Sequence, residues 1–170
     1  MILKLMGTVF VVAGCGGIGF WIAVNYRREE ANLWQLIGIL DYMECELQYR
    51  MTPMTALCQQ ISKVFSGAVG NIFSELGNEM EAQVFPDLAA CMSAVVANSR
   101  KLTRLTQEEL LLLGRSAGRF DLEGQLKGID AVRQDCKRQM ESLSNNRDSR
   151  LRSYQTLGLC AGAALAILFI

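Results

Sequence analysis

Two uncharged, apolar segments flank a charged middle region in this sequence. No Asp, Glu, Lys or Arg lies in residues 5–26, and none lies in residues 153–170. A bilayer core of ~30 Å requires about 20 helical residues, so each segment is close to the length of one membrane span. The pattern predicts an N-terminal transmembrane helix over residues 1–26, a middle domain over 27–152 and a C-terminal transmembrane helix over 153–170.

The middle region begins with apolar residues at steps of three and four, which is typical of an amphipathic helix. This helix is predicted over residues 27–50 and is continuous with the first membrane segment. Thr52 is expected to cap the next helix and Pro53 to occupy its first turn, with that helix ending near Phe65. The apolar stripe of the first helix comprises Leu33, Leu36, Ile37, Leu40, Met43 and Leu47.

Glycine and proline divide the centre of the chain into shorter pieces. Gly67, Gly70 and Gly77 are expected to bracket a short helix with the sequence NIFSEL. Asp87, which follows a proline, is expected to open a further helix that ends near Arg100.

Two further capping signals mark the remaining helices. Thr106 and Glu109 have the spacing of a capping box, in which each side chain bonds a backbone N–H of the other residue. The leucines at 110–113 predict that this helix is buried on nearly every side. Asp121 is expected to cap a last, coiled-coil-like helix that continues into the second membrane segment. Its stripe, interrupted by Arg133 beside Val132, comprises Leu122, Leu126, Ile129, Cys136, Met140 and Leu143.

No stretch of the chain shows a convincing strand pattern. The predicted fold class is therefore all-α: a helical bundle of about six helices flanked by two transmembrane helices. Because the first and last helices of the middle domain both lead to a membrane segment, they are expected to pair antiparallel.

The segment VVAGCGGIGFWIAV has three interpretations. Its G-x-G-x-x-G letters match the dinucleotide-binding fingerprint, and VAGC resembles the cleavage site of a lipoprotein signal. The fingerprint needs an adjoining strand and further β–α–β units, and a lipoprotein would leave the second apolar end unexplained. A membrane helix accounts for both ends, with small residues allowing close helix packing. The residues assigned to this packing are Ala13, Gly17, Gly19, Ala23, Gly158 and Gly162.

Basic residues lie next to the inner ends of both apolar segments. They are Arg27 and Arg28 on one side, and Arg147, Arg150 and Arg152 on the other. By the positive-inside rule, the middle domain is expected to be cytoplasmic. The six cysteines include no C-x-x-C pair, which fits free, mostly buried thiols in a reducing compartment.

The composition argues against several classes of activity. The chain has no histidine, and its 17 basic residues balance 17 acidic ones. With histidine absent and the cysteines scattered, we expect no metal site, no catalytic residues and no cofactor. A mild basic cluster lacks interleaved aromatic residues, so we expect it to be a solvated or partner-facing surface that does not bind nucleic acid. We also expect no small-molecule substrate. The cluster comprises Arg100, Lys101, Arg104, Arg115 and Arg119.

Three segments resemble the stage III sporulation protein AB family of endospore-forming Firmicutes: ELQYRMTPM, LTQEELLLLGRSAGRFDLEGQ and SYQTLGLCAGAALAILFI. The resemblance extends over essentially the whole chain. In its most specific part, Gly114, Gly118, Asp121 and Gln125 match the family motif, whereas Ala117 stands where a larger apolar residue is expected. We interpret the four motif residues as fixing the turn between two helices, with partner contact as the alternative.

This resemblance implies a non-enzymatic, membrane-anchored scaffold. It implies a cytoplasmic domain similar to that of the platform protein of type II secretion, within the channel complex that joins mother cell and forespore. The implied partners are the membrane and the other components of that complex, including a secretion-type ATPase, and a homo-oligomer is compatible with it. The implied location is the mother-cell side of the forespore membrane. The alternative function is a membrane-bound sensor or regulator that signals through the long last helix.

Overall fold

The computed structural model describes the backbone of residues 2–99, 101–118 and 121–169 and the side chains of residues 24–99, 101–118 and 121–145. The described chain consists of six helices and contains no strand, which confirms the predicted all-α class. The helices are α1 (Ile2–Arg50), α2 (Met54–Val64), α3 (Ala68–Ala82), α4 (Leu88–Asn98), α5 (Arg104–Ala117) and α6 (Leu122–Phe169).

The chain divides into two compact units. One comprises residues 1–28 and 141–170, and the other comprises residues 29–140. In the part of the chain that the structure describes, no helix combines the length and the apolar character needed to cross a bilayer. The predicted spans lie almost entirely outside the described side chains and stay predictions. The same holds for their packing residues, Ala13, Gly17, Gly19, Ala23, Gly158 and Gly162.

The unit of residues 29–140 has an apolar core built from all six helices. The predicted stripe of α1 is buried throughout, as expected for one apolar face of an amphipathic helix. In the predicted stripe of α6, Ile129 and Cys136 are buried, whereas Leu122 is 37% exposed. Val132, outside the stripe, is also buried and takes the core position that Arg133 leaves.

Neighbouring helices in this unit pack antiparallel. On α5, Gly114 lies against Met92 of α4, and Gly118, one turn later, lies against the earlier Leu88. Between α5 and α6, Ser116 lies against Gly128, and the earlier Glu109 accepts a hydrogen bond from the later Gln139. Earlier positions on α5 therefore meet later positions on α6, as in an antiparallel pair. Short connections between consecutive helices produce this arrangement.

The start of α2 differs from the prediction. Thr52 does not cap this helix; its hydroxyl donates to Oε2 of Glu46 at 3.0 Å, and Pro53 occupies the N-cap position. Glu46 is 6% exposed and also accepts from Nη1 of Arg50 at 3.1 Å. The buried carboxylate therefore organises the turn between α1 and α2, where Met51 adopts a φ of 50°.

A helix covers NIFSEL as predicted, but it is longer than expected, because Gly70 and Gly77 lie inside α3. At Gly70 a Cβ atom would lie 1.9 Å from the carbonyl oxygen of Phe65, so this glycine permits a close backbone approach. At Gly77 a Cβ atom would lie 3.5 Å from Cβ of Cys58, at ordinary contact distance. Only Gly67, with a φ of 137°, lies at the expected boundary, as the N-cap of α3.

The capping box was also wrong, because α5 begins at Arg104 with Thr103 as its N-cap. Thr106 and Glu109 are instead buried side chains within the helix, 0% and 5% exposed. The leucine run is less central than predicted: Leu110 and Leu113 are buried, but Leu112 is 40% exposed.

Two predicted caps are confirmed. Asp87 precedes α4, and its Oδ1 accepts from the backbone N–H of Ala90 at 2.7 Å. Asp121 precedes α6, and its Oδ2 accepts from the backbone N–H of Gly124 at 2.7 Å. Each carboxylate satisfies a donor that the first turn of a helix leaves free.

Candidate functional site

The motif that carries the family resemblance lies around the turn between α5 and α6. Asp121 stabilises this turn with two hydrogen bonds. Its side chain accepts from the backbone N–H of Gly124, and its carbonyl accepts from the backbone N–H of Gln125 at 3.0 Å. A Cβ atom at position 124 would lie 2.4 Å from Oδ2 of Asp121. Because glycine has no side chain, position 124 leaves room for the Asp121 carboxylate that caps α6.

The two glycines of the motif face α4. A Cβ atom at Gly114 would lie 2.7 Å from Cβ of Met92, and one at Gly118 would lie 3.4 Å from Cβ of Leu88. Ala117, which departs from the family pattern, is 2% exposed between them. The structure therefore brings Gly114, Gly118 and Asp121 together at one helix junction, where their contacts are with their own domain.

A groove of about 300 Å³ lies between α3 and α4 and offers a surface for a ligand or partner. Four polar and three apolar residues line it, from both helices and from the loop that joins them. The lining residues are Glu75, Asn78, Glu79, Phe85, Ala94, Val95 and Asn98.

The polar side chains of this groove are available for binding. Within the described residues, the side chains of Glu75, Asn78, Glu79 and Asn98 make no hydrogen bond or ion pair. Glu75 and Glu79 are four residues apart on α3, so they lie on one helix face. Residues 64–99 contain four carboxylates and no lysine or arginine, which makes the groove locally acidic in a chain of zero net charge.

Three members of the basic cluster predicted between residues 100 and 119 are described: Lys101, Arg104 and Arg115. Arg104 opens α5 and pairs with Glu108 at 3.0 Å, whereas Arg115 lies in the last turn of the same helix. Eleven residues of helix separate the two by about 16 Å along its axis. Arg100 and Arg119 lie outside the described residues.

Arg133 forms the main charged contact between α6 and α1. Its side chain is 18% exposed, and Nη1 donates to Oδ1 of Asp41 at 3.0 Å and to Glu44, while Nη2 donates to Asp130. Burial opposes the charged form, but the hydrogen bonds that Arg133 donates to Asp130, Asp41 and Glu44 outweigh it and raise the pKa of the guanidinium. The network ties the two long helices together through a fully charged arginine.

Sequence reasoning noted Arg133 only as an interruption of an apolar stripe. The signal that could have revealed its role is the spacing of Asp41 and Glu44, which are three apart and share one face of α1. Glu44 and Glu46, two residues apart on α1, have different partners: Glu44 contacts Arg133, and Glu46 contacts Arg50 and Thr52.

The cysteines in the described region are free thiols. Cys58, Cys91 and Cys136 are buried, and Cys45 is exposed. Burial, followed by the nearby Cys91, raises the pKa of Cys58 to about 12; burial, followed by Glu109, raises that of Cys136 to about 12. These two thiols therefore stay protonated at neutral pH. Among the described residues, no group of three or more Cys, Asp or Glu is placed to hold a metal ion.

Comparison with known proteins gives a consistent result. The model of the family Stage III sporulation protein AB matches residues 4–170. Stage III sporulation protein AB of Bacillus subtilis (strain 168) is 25% identical over 170 residues, covering 99% of each chain. A solved structure of a stage III sporulation protein AB has a TM-score of 0.60 at 20% identity and covers 72% of this chain and 98% of its own.

The fold defines an all-α protein whose helices pack as an antiparallel bundle. The family match over nearly the whole length identifies it further: the chain belongs to the stage III sporulation protein AB family. The resemblance carried by the α5–α6 motif is thus confirmed. Membership makes this a sporulation protein and is consistent with a component of a sporulation complex.

Proposed function

We propose that this protein is a non-enzymatic, membrane-anchored scaffold of the channel complex between mother cell and forespore. It lies on the mother-cell side of the forespore membrane with its helical domain in the cytoplasm. There it couples a secretion-type ATPase to the rest of the complex. Family membership and the two uncharged end segments support this proposal.

The observation that carries the proposal is the length of α1 and α6. Each is an unbroken helix, of 49 and 48 residues, that contributes to the core of the 29–140 unit and continues into an apolar end segment. In both helices the hydrogen-bonded backbone is therefore continuous from the domain into the end segment. That property suits a coupling component.

The acidic groove between α3 and α4 is the surface that we assign to the ATPase. A basic side chain of a partner segment would place its aliphatic stem on Phe85 and its charged head between Glu75 and Glu79. The occupant we infer is therefore a lysine- or arginine-bearing segment of the ATPase. The free amides of Asn78 and Asn98 add hydrogen-bonding groups at the edge of the groove.

Co-purification with the cognate ATPase tests both parts of this proposal. The full-length tagged chain should capture the ATPase, and the charge reversal E75K/E79K should reduce capture at least about tenfold, since like charges across an interface are strongly unfavourable. The matched control is E123K/E141K, which changes the net charge equally at exposed sites outside the groove. Thermal unfolding should show that all three proteins are folded.

Two results would contradict the proposal at different levels. Capture by E75K/E79K at the wild-type level would exclude the groove as the docking surface while leaving the coupling role intact. Failure of the wild-type chain to capture the ATPase would contradict the coupling role itself.

The alternative function as a coiled-coil sensor receives less support from the structure. Signalling through α6 requires an apolar stripe that is free to meet a second helix. In that stripe Ile129 and Cys136 are each 0% exposed because they fill the core of their own domain, and Leu122, at the start of the helix, is 37% exposed.

A further inference from the structure

Glu109 is a buried carboxyl group that the proposed scaffold role does not use. It is 5% exposed on α5, at the contact with α6. There Nε2 of Gln139 donates a hydrogen bond to Oε1 of Glu109. A carboxyl group buried to this extent either has an ionic partner or loses its charge.

Two acceptor atoms remain without a partner at this contact. Oε2 of Glu109 and Oε1 of Gln139 are both buried, and neither makes a hydrogen bond within the described residues. Two oxygen acceptors cannot bond to one another unless one of them carries a proton. A single proton on the carboxyl group would satisfy both atoms, and leaving them unsatisfied is energetically unfavourable because each has lost its bonds to water.

On balance, the groups that face Glu109 raise the pKa of its carboxyl group. Burial is the largest influence and raises its pKa, and the like charge of Glu108 on the same helix raises it further. From α6, the hydrogen bond of Gln139 and the positive charge of Arg138 lower the pKa by less, so that it lies above the ordinary value. The thiol of Cys136, also on α6, is uncharged at neutral pH and supplies no counter-charge.

We propose that Glu109 is uncharged in the folded domain and that its Oε2–H donates to Oε1 of Gln139, closing a pair of reciprocal hydrogen bonds. This acid–amide pair holds α6 against α5. Release of the proton to solvent removes one hydrogen bond and leaves a buried negative charge, which weakens the contact. The α5–α6 contact is therefore a proton-dependent latch.

The isosteric substitution E109Q tests the latch in the full-length chain. The introduced amide mimics the protonated acid, because it also offers a donor and an acceptor in the same shape. We expect E109Q to be at least as stable as the wild type at neutral pH. The matched control is E75Q, at an exposed glutamate without a hydrogen-bond partner among the described residues, which should leave stability unchanged.

The pH dependence has a defined sign. Because the folded-state pKa of Glu109 is raised above its unfolded value, the stabilisation from its proton is complete below the unfolded pKa. It is lost as the pH rises through the folded pKa. Denaturation midpoints measured across this range should fall for the wild type relative to E109Q, while E75Q follows the wild type.

Exchanging the two side chains tests whether stability depends on the acid–amide pair or on a glutamate at position 109. The single variant Q139E places two carboxyl groups together and should be destabilised, whereas E109Q/Q139E restores one acid and one amide and should recover both stability and pH dependence. The infrared band of a protonated carboxyl group should be present at neutral pH in the wild type and the swap and absent in E109Q.

A wild-type protein without a protonated carboxyl band at neutral pH would overturn the proposal. So would a loss of stability in E109Q that increases as the pH rises, because that result requires a stabilising, charged Glu109 in the native state. If E109Q does not fold, the band of the wild type and of the swap decides between the two outcomes.

Discussion

The first turns of α3 and α6 have their free backbone donors satisfied in opposite ways. Helix α6 is capped by Asp121, whose side chain accepts from the N–H of Gly124, three residues later. Helix α3 has no side-chain cap of its own. Instead Oε1 of Gln35, on α1, accepts from the N–H of Val69 at 3.2 Å, and its Nε2 donates to the carbonyl of Ser66 at 2.7 Å.

This difference separates a local cap from a cap that depends on the tertiary fold. Asp121 acts on its own turn as soon as α6 forms. Gln35 acts only after α1 has packed on the connection between α2 and α3, where Gly38 also approaches the ring of Phe65. The start of α3 is therefore stable only when α1 is in place, and loss of either side should loosen both.

The largest effect is expected at Gly70. In G70A the new Cβ would lie 1.9 Å from the carbonyl oxygen of Phe65, and a backbone atom cannot move aside as a side chain can. We expect a loss of about 3 kcal/mol or more in unfolding free energy, measured by denaturant titration. In the same helix, G77A meets Cβ of Cys58 at 3.5 Å and should gain up to about 1 kcal/mol from helix propensity. Equal effects of the two substitutions would contradict the close approach at Gly70.

A smaller effect is expected when the distant cap is removed. Q35A loses two hydrogen bonds at the start of α3, and we expect a cost of about 2 kcal/mol. Q35E keeps the acceptor for Val69 but loses the donor to Ser66, so it should lie between Q35A and the wild type. Hydrogen exchange of the Val69 amide should accelerate in Q35A. An unchanged exchange rate would show that the first turn of α3 does not depend on α1.

The smallest effect is expected at the local cap. D121A removes one acceptor at an exposed helix start and should cost about 1 kcal/mol in unfolding free energy, with the loss confined to the first turn of α6. D121N retains an oxygen acceptor and should recover most of that stability. A loss in D121A as large as that in Q35A would remove the distinction between local and tertiary caps.

The same distinction explains which parts of the fold could be predicted from the sequence. The apolar stripes of α1 and α6 and the caps at Asp87 and Asp121 involve residues that are near one another along the chain. The true extent of α3 depends on Gln35 and Phe65, so Gly70 looked like a helix boundary when it is a point of close packing. Thr106 and Glu109 had the spacing of a cap, but Glu109 instead contacts α6 from within the helix.

The candidate site was predictable to a lesser degree. The motif around Asp121 was visible because it is local, and the family match followed from it. The groove between α3 and α4 combines residues up to 23 positions apart, Glu75 and Asn98, and becomes visible only once the helices are paired. Its sequence signal was the absence of lysine and arginine from residues 64–99, a local imbalance that the zero net charge of the chain conceals.

The cluster around Arg133 has a consequence for how the sequence of this domain can drift. One guanidinium meets three carboxylates, so the acceptors are redundant and the donor is not. Loss of any one of Asp41, Glu44 and Asp130 leaves two acids to hold the arginine. Loss of Arg133 leaves three like charges facing one another. A neutral residue at position 133 therefore becomes tolerable only after some of these acidic residues have been replaced.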